Sequence, residues 1–396
     1  MIRRRRGLSL EVVAGLAGIT AQYLSMLERG LRGFNRRGLL DDLAAALTCS
    51  VADLTGQPYL PLDRATADAM ATVPSIELAI HDCTLDNVPD IPARPVAELV
   101  TLARHANMQC DETQYALAGR DFGAVITELH IQAVTGDSET RRTALAALVE
   151  ACIAASGTVR ALGHGTLAEA LAQRGYDAAR LLGDPALRGF VSMQLAGTLI
   201  RLGARHRAVA VLGEALVELE STADPTAADN GPAQAAGMLH LASAQLSSRQ
   251  GRSGDADIHL ARAVELARAT GECNDLNYHF GSANVAAWSV SIGIELQRGP
   301  EAAERVAADV PQMAAVLASA DRRSGLHLDL ARGWGQASGD RDTEAIRYLD
   351  TADRIAPTRI RNDPIARDLV ATLNRRAKHR VWELDSLVNR FGIRDR

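Results

Sequence analysis

Aromatic side chains are scarce, at 4% of 396 residues, and the apolar 47% is carried mainly by Ala, Leu and Val. Such a composition favours helix and argues against an all-β domain. Lysine is nearly absent: Lys378 is the one lysine among 43 basic residues, a compositional bias that carries no mechanism. The five cysteines, Cys49, Cys83, Cys110, Cys152 and Cys273, lie far apart with no C-x-x-C spacing. That excludes a disulfide framework and a zinc ribbon, and reduced, buried thiols are expected. No apolar stretch approaches the roughly 20 residues of a membrane span, and the start at Arg3, Arg4, Arg5 and Arg6 lacks the apolar region of a secretory signal. A cytoplasmic protein without a membrane partner is expected.

The motifs of catalysis are missing as well. Ten histidines are scattered without an H-x-x-x-H pair, and neither G-x-S-x-G nor a Walker A loop occurs. Gly163-His164-Gly165-Thr166-Leu167-Ala168 fits G-x-G-x-x-A. The dinucleotide fingerprint requires a preceding strand, whereas residues 145–162 read as helix, so the glycines are assigned to a turn. Neither an enzyme, a cofactor nor a metal site is expected.

What the chain does have is charge asymmetry. Residues 1–40 hold eight arginines against Glu11 and Glu28, which gives +6 there and −11 over the rest of a chain whose net charge is −5. A basic head on an acidic body points to an anionic partner for the head.

The body is self-similar. A turn followed by a small residue and an amphipathic helix recurs at Arg120-Asp121-Phe122-Gly123-Ala124, Gly165-Thr166-Leu167-Ala168, Arg205-His206-Arg207-Ala208, Gly254-Asp255-Ala256, Gly299-Pro300-Glu301-Ala302 and Arg341-Asp342-Thr343-Glu344-Ala345. Anchored on Ala124, Ala168, Ala208, Ala256, Ala302 and Ala345, the spacings are 44, 40, 48, 46 and 43. Helix pairs of this kind bury their apolar faces only by stacking, which produces an α-solenoid with a concave face. The expectation is an all-α chain: a head over 1–56, a linker and connecting helix over 57–95, a solenoid over 96–361 and a capping helix over 362–396. The repeats resemble tetratricopeptide repeats with lengthened helices. They lack that family's Trp and Tyr signature and its 34-residue period.

In the head, Ser9 caps a helix ending near Gly18, and Thr20 caps a second one closed by Gly30. Leu8, Val13, Ile19, Leu24 and Leu27 supply the apolar contacts of a helix-turn-helix. Leu39, Leu40, Leu43, Ala44 and Leu47 follow as an amphipathic helix. This run, from Gly7-Leu8-Ser9-Leu10 through Ile19-Thr20-Ala21-Gln22-Tyr23-Leu24-Ser25-Met26-Leu27-Glu28-Arg29-Gly30 to Asp53-Leu54, resembles the Cro and phage-repressor type of DNA-binding domain, the xenobiotic-response-element family. With Gly56-Gln57-Pro58-Tyr59 and Phe280-Gly281-Ser282-Ala283-Asn284-Val285, the whole chain resembles actinobacterial regulators that join such a head to a tetratricopeptide-like body.

That resemblance implies that Thr20, Ala21, Gln22, Ser25 and Met26 face the major groove of double-stranded operator DNA. Gln22 is the base reader, because its amide pairs bidentately with adenine. Ser9, Tyr23, Arg29, Arg32, Arg36 and Arg37 are expected at phosphates. It also implies a homodimer on a palindrome and a peptide or small-molecule effector in the solenoid groove. Candidate ligand residues are Asn277, Tyr278, His279 and Asn284 on one first helix, with Arg201, His240, Gln245 and Arg332 on neighbouring ones. Asn284 leads, since an amide both donates to C=O and accepts from N–H. One departure stands out, because only residues 1–6 occupy the place of the helix that normally packs beneath the motif. The alternative is therefore a protein-interaction scaffold whose trimmed head no longer binds DNA.

Overall fold

The computed structural model of the chain describes residues 2–337, 339–377, 379 and 381–393. Among the described residues the regular elements are all helical and no strand occurs. Many helices begin where the sequence supplies a cap: Ser9, Thr20, Ser50, Asp63, Asp137, Asp184, Ser319 and Asp363 each accept a backbone N–H from the first turn that follows. Each such cap is worth about 1 kcal/mol.

The head contains α1 (Ile2–Arg5), α2 (Leu10–Leu16), α3 (Ala21–Glu28), α4 (Arg37–Ala46) and α5 (Val51–Thr55). Its core is Val13, Ala14, Ala17, Leu24, Leu27, Leu39, Leu43 and Leu47. The one-turn α1 takes the place of a first helix. Ile2 packs on this core, and Arg3 ties α1 to α3 through paired hydrogen bonds to Glu28 at 2.7 and 2.8 Å.

After the head come α6 (Arg64–Met70) and α7 (Val73–Asp82), then helix pairs: α8 (Val96–Asp111) with α9 (Tyr115–Thr135), α10 (Ser138–Ala161) with α11 (Gly165–Leu182), α12 (Pro185–Arg201) with α13 (Arg205–Leu219), and α14 (Gly231–Arg249) with α15 (Ser253–Thr270). Then follow α16 (Ser282–Glu295) with α17 (Gly299–Ala307), the short α18 (Val310–Val316), and α19 (Ala320–Gly335) with α20 (Asp342–Ile355). The chain closes with α21 (Pro357–Arg361), α22 (Pro364–Arg376) and α23 (Trp382–Arg390). Consecutive helices pack on one another as a helical repeat body. Among the described residues its core forms two large blocks and a small cluster of Ala244, Ala256 and Ile292, all of which include residues of α16.

The repeat has a sharper definition than the sequence spacing suggested. Ala118, Ala168, Ala208, Ala256, Ala302 and Ala345 each stand three residues after the start of a second helix, and each is at most 1% exposed. Each of these methyls is enclosed where its second helix begins. The first anchor is thus Ala118, not Ala124: Arg120-Asp121-Phe122-Gly123 lies inside α9, and the turn falls at residues 112–114. The turn itself repeats too. A left-handed residue, Thr113, Gly163, Gly203, Gly251, Gln297 or Gly339, ends each first helix of a pair. In the first five, the next residue's N–H returns to a carbonyl five residues back, as His164 does to Val159, which satisfies the carbonyls left open at a helix end.

Three expectations are refined. Residues 57–95, expected as a linker and connecting helix, carry two helices, and Ala69, Val73, Ile76, Ala79 and Ile80 of α6 and α7 join the first core block. The segment 362–396 carries two helices, while residues 378, 380 and 394–396 lie outside the described residues. Finally, α10 is long and apolar enough to cross a membrane by length and composition, yet 72% of its apolar window is packed inside the protein. Of the cysteines, Cys83 and Cys152 are buried and Cys49, Cys110 and Cys273 half-buried, all as free thiols.

Candidate functional site

The two helices of the motif are bent at 105° to each other, within the roughly 90–120° of a helix-turn-helix. Gly18, with φ of +65°, makes the turn, and Ile19 N–H closes it on the Ala14 carbonyl at 2.9 Å. Ser9 and Thr20 cap α2 and α3, accepting from Val12 and Tyr23 N–H at 3.2 and 3.1 Å. Their hydroxyl oxygens are engaged, but both side chains are exposed.

On α3 the exposed side chain at the N-terminal end is Gln22, with Ala21, Ser25 and Met26 half-buried beside it. Ala21 also packs on the head core. Residues 1–55 match a family model described as a helix-turn-helix domain. The head is a helix-turn-helix DNA-binding domain. Comparison with curated proteins gives no match for the chain.

The arginines of the helix-turn-helix head divide into two sets. Arg29 and Arg32 are exposed beyond α3. Arg3 and Arg6 are partly spent on the head itself, Arg6 donating to the Thr48 carbonyl at 2.9 Å. Arg37, expected at a phosphate, points the other way: its guanidinium is 2.5 Å from Asp363 on the body. Arg36 is half-buried, with its Nε enclosed and unbonded. Tyr23 faces a crevice shared with Asp368, Leu369 and Thr372 of α22, and burial pushes its hydroxyl pKa up. For Arg37 and Tyr23 the physical reason is the same. The head is docked on the body, and their side of it is occupied.

The docking runs through α4, which lacks a side-chain cap of its own. Glu295, the last residue of α16, supplies one. Its carboxylate accepts Arg37 N–H and Gly38 N–H, both at 3.0 Å, and Arg332 Nη2 at 2.9 Å. Burial pushes the Glu295 pKa upward, but Arg332, Arg249 and the two backbone donors outweigh it and hold the carboxyl below its ordinary value. Gly38 permits the approach, because a Cβ there would lie 2.8 Å from the Arg249 carbonyl oxygen. Asp41 faces Arg249 at 3.7 Å with both side chains at most 5% exposed, and Asp42 meets Arg205 at 2.6 Å. Phe34 N–H donates to Asp368 at 2.5 Å, Gln57 reaches the Asn362 carbonyl, and Arg367 covers the Tyr59 ring at 4.4 Å.

Beneath α4 the first helices of the pairs enclose a cavity of about 210 Å³. Of the expected ligand residues, Arg201, Gln245, Tyr278, Asn284 and Arg332 line it. Asn277, Tyr278 and His279 do not share a helix with Asn284: Asn277 ends a short 3-10 turn, and α16 starts only at Ser282. His279 instead bonds Asp111 at 2.9 Å, and Asn277 accepts from Asn274. His240 pairs with His259 at 2.9 Å between α14 and α15. Asn284 is 1% exposed and donates to the Tyr278 carbonyl at 3.1 Å, so its N–H holds a loop. Tyr278 stacks on Phe190 and donates to its carbonyl. Gln245 donates to Ser291 at 3.1 Å.

Sequence reasoning missed Arg160, Arg249, Arg322 and Arg359, which also line the cavity. A signal was present. Arg160, Arg201 and Arg249 each stand two or three residues before a turn glycine, Gly163, Gly203 or Gly251, at the end of consecutive first helices. The glycines of the G-x-G-x-x-A match are one of these turns, preceded by α10 and not by a strand.

Proposed function

We propose that the chain is a non-enzymatic transcriptional regulator that binds operator DNA through α3 as a homodimer, with the helical body sensing an effector and passing its state to the head. The observation that carries the reading is the 105° helix pair presenting an exposed Gln22 at the start of α3, flanked by exposed Arg29 and Arg32. Gln22 supplies base readout, and the arginines supply affinity that falls with salt. The docking of α4 on α14, α16 and α22 supports a body that controls the head. Half-sites about one helical turn apart match two-fold symmetry.

The test is a mobility-shift titration with DNA from the chain's own promoter at several salt concentrations. Wild-type affinity falls steeply with salt, and Gln22→Ala weakens specific binding by about 1–3 kcal/mol while leaving non-specific binding unchanged. Absence of any shift, or a Gln22→Ala protein indistinguishable from wild type, refutes the reading. Sedimentation of the protein–DNA complex reports whether two chains are bound.

A further inference from the structure

Seven arginines line the cavity beneath the head, Arg37, Arg160, Arg201, Arg249, Arg322, Arg332 and Arg359, against the carboxylates Asp321 and Asp329. Four have carboxylate neighbours: Arg37 has Asp363, Arg249 has Asp41, Arg332 has Glu295 and Asp329, and Arg359 has Asp321. Among the described residues Arg160, Arg201 and Arg322 form no ion pair within 4 Å, and Arg322 keeps an enclosed, unbonded Nε. Arg249 is the sharper anomaly. Its side chain is 4% exposed, its nearest carboxylate oxygen is 3.7 Å away, and its Nε is enclosed without a hydrogen bond. A buried guanidinium left in this state is costly unless something else completes it.

A second cavity of about 320 Å³ shares Arg37, Arg160, Arg201, Arg249 and Arg359 with the first. Its wall includes Gly165 and Thr166, the start of the 18-residue α11, whose N-cap His164 makes no side-chain cap bond. Open N–H groups at a helix start favour an anion. Burial and the neighbouring Arg37, Arg160 and Arg249 together push the Arg201 pKa well down, and an anion placed here would favour the charged guanidinium.

We infer that the junction of these two cavities is the effector site and that it takes a small polyanion bearing two or more phosphate or carboxylate groups. Arg160, Arg201 and Arg249 meet one anionic group with the α11 N-terminus, and Arg322 meets a second within the first cavity. Guanidinium forks suit both kinds of group. This rests on the reading of the body as a sensor and narrows the expected peptide or small-molecule effector to a compact anion. Because Arg37 belongs to the head, an anion at this junction contacts both parts of the protein.

Calorimetric titration of the full chain with inorganic pyrophosphate and with citrate, at constant ionic strength, tests it and separates phosphate from carboxylate. Saturable binding of either at a Kd below roughly 1 mM is expected, weakened at least about ten-fold in Arg201→Gln and Arg322→Gln and unchanged in Gln22→Ala. Arg322→Gln lies away from the docked head, and its helix content by circular dichroism shows that it is folded. Lack of saturable binding by both anions overturns the inference, as does wild-type affinity in both cavity variants. If the protein shifts promoter DNA but binds neither anion, this inference fails and the regulator reading stands. Anion binding without any DNA shift supports the site and refutes the regulator reading.

Discussion

Glu295→Ala isolates what holds the head to the body. Glu295 is 1% exposed at its side chain and completes three donors: two backbone N–H groups of α4 and the Arg332 guanidinium, itself 2% exposed. Removing the carboxylate uncaps α4, worth about 1 kcal/mol, and leaves a buried cation short of a partner, which typically costs about 3–5 kcal/mol. Arg332 keeps Asp329 at 2.6 Å and lines a cavity that admits water, which places the expected total near the lower limit, about 3 kcal/mol.

The second variant separates the parts. Glu295→Ala combined with Arg332→Met removes the stranded charge as well as its partner, and should recover about 2 kcal/mol, leaving the loss of the cap. Urea denaturation followed by far-ultraviolet circular dichroism measures stability. Protease cleavage in the exposed segment around Leu60, which is 87% exposed, reports head release. A loss under about 1 kcal/mol for the single variant, or a double variant no more stable than the single, would refute the argument that a buried carboxylate caps α4 and neutralises Arg332.

Gly38→Val drives a side chain into the Arg249 backbone and should release the head, seen as faster cleavage near Leu60 with the helix content of the body retained; unchanged cleavage contradicts the close approach. Burial pushes the Asp368 carboxyl up to about 6, although Phe34 N–H and Arg375 pull it down, and burial raises Asp41 to about 6 likewise. Both folded values lie above the ordinary 3.8, so the docked state binds protons that the released state gives up, and docking strengthens as pH falls from about 7 to 5. Glu295 and Asp363 are held low and lose their contribution only at more acidic pH. Asp368→Asn keeps an acceptor for Phe34 and should reduce that pH dependence while slowing cleavage at pH 7.5; wild-type docking that is flat or weaker at pH 5 would oppose this. Ala208→Leu overfills a fully buried contact at the start of α13 and should cost about 1–3 kcal/mol in urea, whereas a neutral result would remove the small-residue anchor from the repeat.

What was legible in the sequence was whatever depends on neighbours along the chain. Ser9, Thr20 and Gly18 announce two capped helices and their turn within 12 residues, and the structure places them there. Buried alanines at one register of each second helix announce the repeat, and the one misplaced anchor arose because Thr113, not a glycine, makes the first left-handed turn. What was hidden depends on residues hundreds of positions apart. Arg37 and Asp363 are separated by 326 residues, and Gly38 and Glu295 by 257. Arg36 and Arg37 are therefore expected at phosphates along with Arg29 and Arg32, although the start of α4 faces the body. Asn277, His279 and Asn284 are expected on one polar-rich first helix, yet their hydrogen bonds are met by Asn274, Asp111 and the Tyr278 carbonyl. Basic residues at the ends of consecutive first helices suit the helix dipole locally, and of these Arg160, Arg201 and Arg249 only Arg201 stood among the expected ligand residues. Stacking the pairs turns those ends to one side, where Arg160, Arg201 and Arg249 converge, and a local stabilising device at each helix becomes a shared concentration of positive charge.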